Sequence, residues 1–410
     1  MRPPVVPVPR SVASHAKALP LLPTATLLAI LCAPGAAEAQ EEFRIPTAEE
    51  YAEAQQRAEA APLFASHDLL RMTLRTDVDW LRDERNDSVE VEGTLTFVDL
   101  DGSEVVKPVD TRARGNFRRA KKNCNFPPLR LDFPTGQMEG TLFEGQDKLK
   151  LVTPCNDGRD DYQRYVLSEY LAYRILNLLT PASFRVRLVE ITYEDTSGDY
   201  DTRTKIGFLI EDEDEMAARQ RGTIEEVTQF HPARSFAEYS VLVAMFNYMI
   251  GNTDWSPVYF HNVKLVRTEE ARYLTVPYDF DFSGTVNARY ATVDPSLHDQ
   301  IRTVTRRLYR GFCRDELVYE PAVAPFREHR DAIHQLYRDV AALGFEAFDM
   351  DRAEDSIEYF EDFWKVVDDP EEFEDEVLRD CRPWYDAPRG STPSGASSRA
   401  WPRWSGSCAA

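Results

Sequence analysis

Residues 251–284 read GNTDWSPVYFHNVKLVRTEEARYLTVPYDFDFSG, and the fold is decided on this stretch. The run before it, Phe236–Ile250, is apolar on nearly all sides and predicts a buried helix. Ser235-Phe-Ala-Glu238 has the spacing of a capping box for that helix. The stretch itself predicts a loop, a strand over His261–Val266, a Thr-Glu-Glu turn and a strand over Arg272–Asp279. A hairpin of that register brings Asn262 and Asp279 to one end of the ribbon, with Asp254 beside them at the mouth of the helix. Two carboxylates and an amide at one edge make a hard-oxygen site suited to magnesium or manganese. A lone aspartate near a turn more often just caps it. Three such residues meeting ask for a chemical role.

Upstream of this stretch the chain is β-rich. Val89–Val98, Leu129–Phe133 and Lys148–Val152 alternate at period two, and two further strands are predicted over Arg185–Tyr193 and Thr204–Ile210. A short surface helix is expected over Ala48–Ala61. A longer one is expected over Tyr162–Leu179, entered through Asp160-Asp161 and stopped by Thr180-Pro181. Lys148 and Lys150 share one strand face. Glu169 stands in an apolar helical stripe with Tyr165, Val166, Ala172, Tyr173 and Leu176. A carboxylate in such a stripe is costly unless it meets a cation. A strand lysine would supply one; Arg174, Arg185 or solvent are the other outlets. Arg112-Ala-Arg-Gly-Asn-Phe-Arg-Arg-Ala-Lys-Lys122 is the one strongly basic patch. Its Arg114-Gly115-Asn116 turn reads either as a solvated turn or as an anion-binding one closing over phosphates. Downstream, helical patterns run over 297–309, 324–343 and 353–379, and the acidic run Glu211–Glu215 lies between the halves.

These patterns predict an α+β chain in two lobes. A β-rich lobe would span 66–211 and a helical lobe 230–382, joined by a hinge at 212–229. A surface helix and linker (40–65) would precede them, and a Ser/Gly/Pro-rich tail (383–410) would follow. Arg2, Arg10 and Lys17, the apolar stretch Leu19–Leu31 and Ala37-Glu38-Ala39 have the order of a cleavable signal over residues 1–39. The mature chain is therefore expected to be secreted or periplasmic. No stretch is apolar for the roughly 20 residues a membrane span takes. The net charge of -22 over 410 residues argues against a nucleic-acid partner. There is no C-x-x-C, no G-x-S-x-G and no H-E-x-x-H, which disfavours zinc and triad hydrolase chemistry. Export permits disulfides; Cys124 with Cys155 and Cys313 with Cys381 are the expected pairs, leaving Cys408 in the tail.

Helix, Asn-x-Asp, His-Asn at a strand start and Tyr-Asp-Phe-Asp at a strand end resemble the catalytic core of atypical kinases of the CotH (spore-coat-H-type) family. HipA-like kinases are more distantly similar. Arg114-Gly115-Asn116 resembles the R-G-N segment of the CotH family, and the resemblance covers roughly residues 110–290. It implies a two-lobed protein-kinase-like fold that moves the γ-phosphate of ATP to a protein hydroxyl with Mg2+ or Mn2+. By resemblance, Asp254 orients the acceptor, Asn262 and Asp279 hold metal, and Asp281 is a further ligand. Lys148 or Lys150, positioned by Glu169, holds phosphates together with Arg114, Gly115 and Asn116. Asn262 follows Asp254 by eight residues where kinases use about five, so Asn252 or His261 are alternatives at that step. Two other readings stay open: an inactive kinase-fold protein of binding or envelope assembly, and a metal-dependent phosphohydrolase.

Overall fold

Alternation at period two carries the first half of the chain into a closed barrel. The computed structural model describes residues 45–383; the signal reading of 1–39, nearly all of the tail and Cys408 lie outside them. Helix α1 (Ala48–Ala60) opens on a capping box between Thr47 and Glu50. Then come β1 (Leu70–Thr76), the short helix α2 (Val78–Asp83), β2 (Val91–Val98), β3 (Glu104–Ala113), β4 (Leu129–Asp132) and β5 (Lys148–Val152). Helix α3 (Gln163–Leu179) leaves the sheet, and β6 (Val186–Asp195) and β7 (Arg203–Ile210) complete it. The strand order is β1-β2-β3-β4-β5-β7-β6, antiparallel except where β1 meets β6 in parallel and shuts the ring. Inward positions are apolar: Leu149 and Leu151 of β5 join Leu74, Leu95, Leu131, Ile191 and Leu209 in one buried cluster. At Gly207 a side chain would press 2.7 Å from Val152 O, so only glycine lets β7 pass this close to β5.

Helix α4 (Glu213–Arg219), capped by Asp212, leads to β8 (Gly222–Ile224). Helix α5 (Ala237–Met249) follows, then the hairpin β9 (Val263–Thr268) and β10 (Tyr273–Pro277), giving a three-stranded antiparallel sheet in the order β10-β9-β8. The remaining helices are α6 (Tyr319–Glu328), α7 (Arg330–Ala341), α8 (Met350–Glu358), α9 (Glu361–Asp368) and the single turn α10 (Pro370–Phe373). A second core joins the outward side chains Val186, Leu188, Phe208 and Ile210 of the barrel to α3, α5, α6, α7 and α9. Leu167, Leu171, Ile175 and Leu176 of α3 are fully buried there, worth about 1.5–3 kcal/mol each.

This arrangement overturns the two-lobed, kinase-like expectation. A seven-stranded mixed barrel, closed on itself, has a helical layer packed against its outer wall through one continuous apolar core. Alternation reports which face of a strand is buried, not which strand lies beside it, and closure depends on Leu70 of β1 sitting opposite Val189 of β6. Two smaller expectations also fail. Residues 297–309 form no α-helix beyond the short 3-10 turn Pro295–Leu297. The capping box at Ser235 is absent because its hydroxyl donates to Pro232 O and accepts from Arg314, so α5 starts without a side-chain cap. Both expected disulfides form. No helix among the described residues is long and apolar enough to cross a membrane.

Candidate functional site

Beyond α5 the chain turns through Gly251, whose φ of +66° suits glycine and where a Cβ would lie 2.3 Å from Tyr359 Oη. Gly284 N–H donates to Gly251 O and Thr285 N–H to Ile250 O, each at 3.1 Å, which staples the loop after α5 to the loop after β10. A buried amide ladder sets the first loop. Asn252 Nδ2 donates to Asn247 Oδ1 at 2.8 Å, and Asp254 N–H donates to Asn252 Oδ1 at 3.0 Å. Asp254 then presents its carboxylate with Oδ1 2.8 Å from His261 Nε2 and Oδ2 3.0 Å from Asn262 Nδ2. Tyr278 N–H bonds Asn262 O at 3.0 Å, tying the two strand ends together. Asp279 N–H donates to Tyr173 Oη at 2.8 Å, tying them to α3. Phe260 (φ +53°), Asn262 (φ +52°) and Asp279 (φ +62°) all occupy the left-handed region. That region costs roughly 1–2 kcal/mol per residue, least for Asn and Asp, and such outliers gather where side chains must be aimed.

The opposite wall is the connection from β3 to β4. Arg118 is buried, with Nη1 3.3 Å from Glu169 Oε2 and 3.8 Å from Asp281 Oδ2, and it also donates to Thr153 O. The cation that meets Glu169 is therefore Arg118. Lys148 and Lys150 do not reach it. Leu149 and Leu151 take the inside of β5, so the lysines face α4, where Lys148 lies 3.6 Å from Asp214 and Lys150 3.2 Å from Glu213. Arg174 bonds Tyr170 Oη at 3.0 Å and Arg185 bonds Glu211 at 2.8 Å, so neither of those alternatives is taken either. Phe117 stacks edge-to-face on Phe282 across the cleft at 5.1 Å, and both pack on Tyr290 at 5.8 Å.

Between these walls lies a cleft of about 400 Å³, lined by Arg114, Gly115, Asn116 and Arg118 on one side and Asp254, His261, Asn262, Asp279 and Asp281 on the other. Val152, Ile210 and Tyr278 add apolar surface, with Tyr173 at the back. Of the residues singled out in the sequence, Lys148 and Lys150 do not line the cleft, though Lys150 Nζ lies 5.5 Å from the ring centre of Tyr278, which does; Glu169 lies buried behind Arg118, and Asn252 is buried in the loop after α5. The others meet in it. Arg118 was not distinguishable from Arg119 beside it, since both belong to one basic run. Only the fold shows that Arg119 turns outward to Gly115 O and Asp87. Tyr173 was visible only as one more member of an apolar stripe.

The charges are unbalanced. Burial first, and then the neighbouring Asp279, push the Asp281 carboxyl up to about 7, against Arg118 and a hydrogen bond from Tyr290. Burial also holds Glu169 well above the usual carboxylate range; Arg118 opposes this, Asp281 and Asp279 add to it, and Glu169 Oε1 has no hydrogen-bond partner. Burial works against the charge of Arg118, yet Tyr290, Glu169, Asp281 and Asp279 together raise its pKa. Arg114 is lowered, chiefly by burial.

No family model matches the chain, and no curated protein matches it. The site stands on its geometry. An excess of buried carboxylate held above its normal pKa is what a divalent cation would relieve. Among the described residues no three His, Cys, Asp or Glu side chains are placed to hold an ion by themselves. Asp279, Asp281 and the side-chain amide of Asn262 put hard-oxygen donors along one side of the cleft.

Proposed function

We propose that this cleft binds a nucleoside triphosphate with Mg2+ or Mn2+ and transfers the γ-phosphate to a hydroxyl of a protein acceptor. The observation that carries the reading is one cleft with guanidinium groups on one wall and carboxylates on the other. Phosphoryl transfer needs both, because catalysis is mostly positioning and charge stabilisation. Arg114 and Arg118, with the exposed backbone of Gly115 and Asn116, would hold phosphate oxygens. Asn262 Oδ1, Asp279 and Asp281 would hold the cation, which when bound would neutralise charge on the phosphates. Asp254 keeps free lone pairs on both carboxylate oxygens beside its bonds to His261 and Asn262. It is thus oriented to accept the proton of the attacking hydroxyl. The likeness to the CotH family rests on these same residues and belongs to this proposal. So does export, which two disulfides suit.

A metal-dependent phosphohydrolase is the second reading. It draws on the same lining, since Arg114 and Arg118 opposite the carboxylates would hold the oxygens of a phosphoester as well as those of a nucleotide. The test is a melt of the protein with and without ATP and Mn2+, repeated on Asp279→Ala, with transfer of γ-phosphate label as the activity readout. Stabilisation and transfer that vanish in the variant support the kinase reading. Turnover of a chromogenic phosphoester without nucleotide supports the hydrolase. No response to either would leave a binding or envelope-assembly protein.

A further inference from the structure

The basic wall of the cleft is anchored by a disulfide behind it. Cys124 and Cys155 are both buried and bonded to each other. Cys124 lies in the loop that begins at Arg114, and Cys155 lies just beyond the end of β5 at Val152. The two segments are zipped at this point. Asn125 N–H donates to Cys155 O at 3.0 Å, Asp157 N–H to Asn125 Oδ1 at 3.1 Å and Thr153 Oγ1 to Pro127 O at 3.0 Å. Thr153 O is also the carbonyl that receives Arg118. The aim of Arg118 at Glu169 and Asp281 thus depends on the strand end that the disulfide clamps to the loop. The tip, Gly115 to Phe117, is exposed, and its tether across the cleft is the stack of Phe117 on Phe282 and Tyr290. Cys313–Cys381 joins the segment before α6 to the end of the described chain and touches neither wall.

We propose that the Cys124–Cys155 bond is a redox switch on the basic wall. Oxidised, it holds Arg114–Arg118 in place to bind polyphosphate. Reduced, it lets the loop go and phosphate affinity falls. The proposal rests on the phosphate-binding reading above. In forming the bond by thiol–disulfide exchange, Cys124 and Cys155 give up two thiol protons and two electrons as their S–S bond is made, while the S–S bond of a thiol-exchange oxidoreductase in an oxidising compartment breaks and takes up both as a dithiol. A chain kept reduced before export would then lack a finished phosphate wall and gain one where disulfides form.

The experiment compares the oxidised parent, the parent reduced with a dithiol, and the variants Cys124→Ser/Cys155→Ser and Cys313→Ser/Cys381→Ser, using pyrophosphate alone and ATP with Mn2+ as probes in thermal melts and calorimetry. The expected result is binding at least about tenfold weaker in the reduced parent and the first variant, the size of one lost charge-assisted contact, with the second variant like the oxidised parent. Equal binding by oxidised and reduced parent, or by oxidised parent and first variant, overturns the switch. Cys124→Ala/Cys155→Ala is measured alongside; if neither form folds, the bond is a condition of folding and the switch is likewise overturned. If the oxidised parent itself binds neither probe, the phosphate reading fails, a result distinct from equal binding by both redox forms.

Discussion

The two walls of the cleft are built by opposite means. The acidic wall grows from the ends of α5, β9 and β10, fixed by backbone bonds such as Gly284 to Gly251 and by the Asn247–Asn252–Asp254 ladder. The basic wall is a loop hung from a disulfide and one buried guanidinium. Backbone bonds at element ends set the acidic groups, whereas the basic groups are set by side-chain ties, Arg118 to Thr153 O and Glu169 and Phe117 to Phe282.

The sharpest way to break this contrast is Arg118→Ala. It strands Glu169 in the core with no cation, and losing one partner of a buried pair costs roughly 3–5 kcal/mol, readable in urea unfolding. Lys150→Ala, at a partly exposed pair, should cost no more than about 1 kcal/mol. Next, Asp279→Asn should leave the melt within about 1 kcal/mol of the parent while cutting transfer on the order of 100-fold, about 2.7 kcal/mol in barrier. Acidic-wall residues would then be functional rather than structural.

The pH response of the metal-free protein comes third. A carboxyl raised in the folded state keeps its proton where the unfolded chain has lost it. The contribution of Asp281 is therefore complete below the ordinary Asp pKa of 3.8 and disappears as pH rises to about 7. Stability should fall across that window with a slope of at most about 1.4 kcal/mol per pH unit from this group, and Asp281→Asn should flatten the denaturation curve there. Smallest is Tyr173→Phe, which removes the acceptor of Asp279 N–H. It should cost about 1 kcal/mol of stability and lower transfer more than it lowers nucleotide affinity.

Local patterns in the sequence read well and long-range ones did not. The α3 and β5 boundaries and the convergence of Asp254, Asn262 and Asp279 follow from periodicity and hairpin register, which are properties of adjacent residues. The partner of Glu169 was misjudged because a buried carboxylate announces its need for a cation without saying from where. Arg118 lies 51 positions away, in a loop with no periodicity. The two-lobed reading failed for a related reason. The alternation of β1 is the same whether it edges an open sheet or closes a ring, and only its parallel pairing with β6 distinguishes them.

That pairing also sets an order of events. Leu70 waits for Val189, 119 positions further on, before the seam between β1 and β6 can be sewn. Contacts this distant in sequence are entropically slow to make. A chain delivered from its N-terminus must hold β1 to β5 as an unsealed sheet until β6 and then β7 follow. The ring shuts only when β7, the last strand to emerge, fits between β5 and β6, so the walls of the cleft that flank β5 and β7 wait for that final strand.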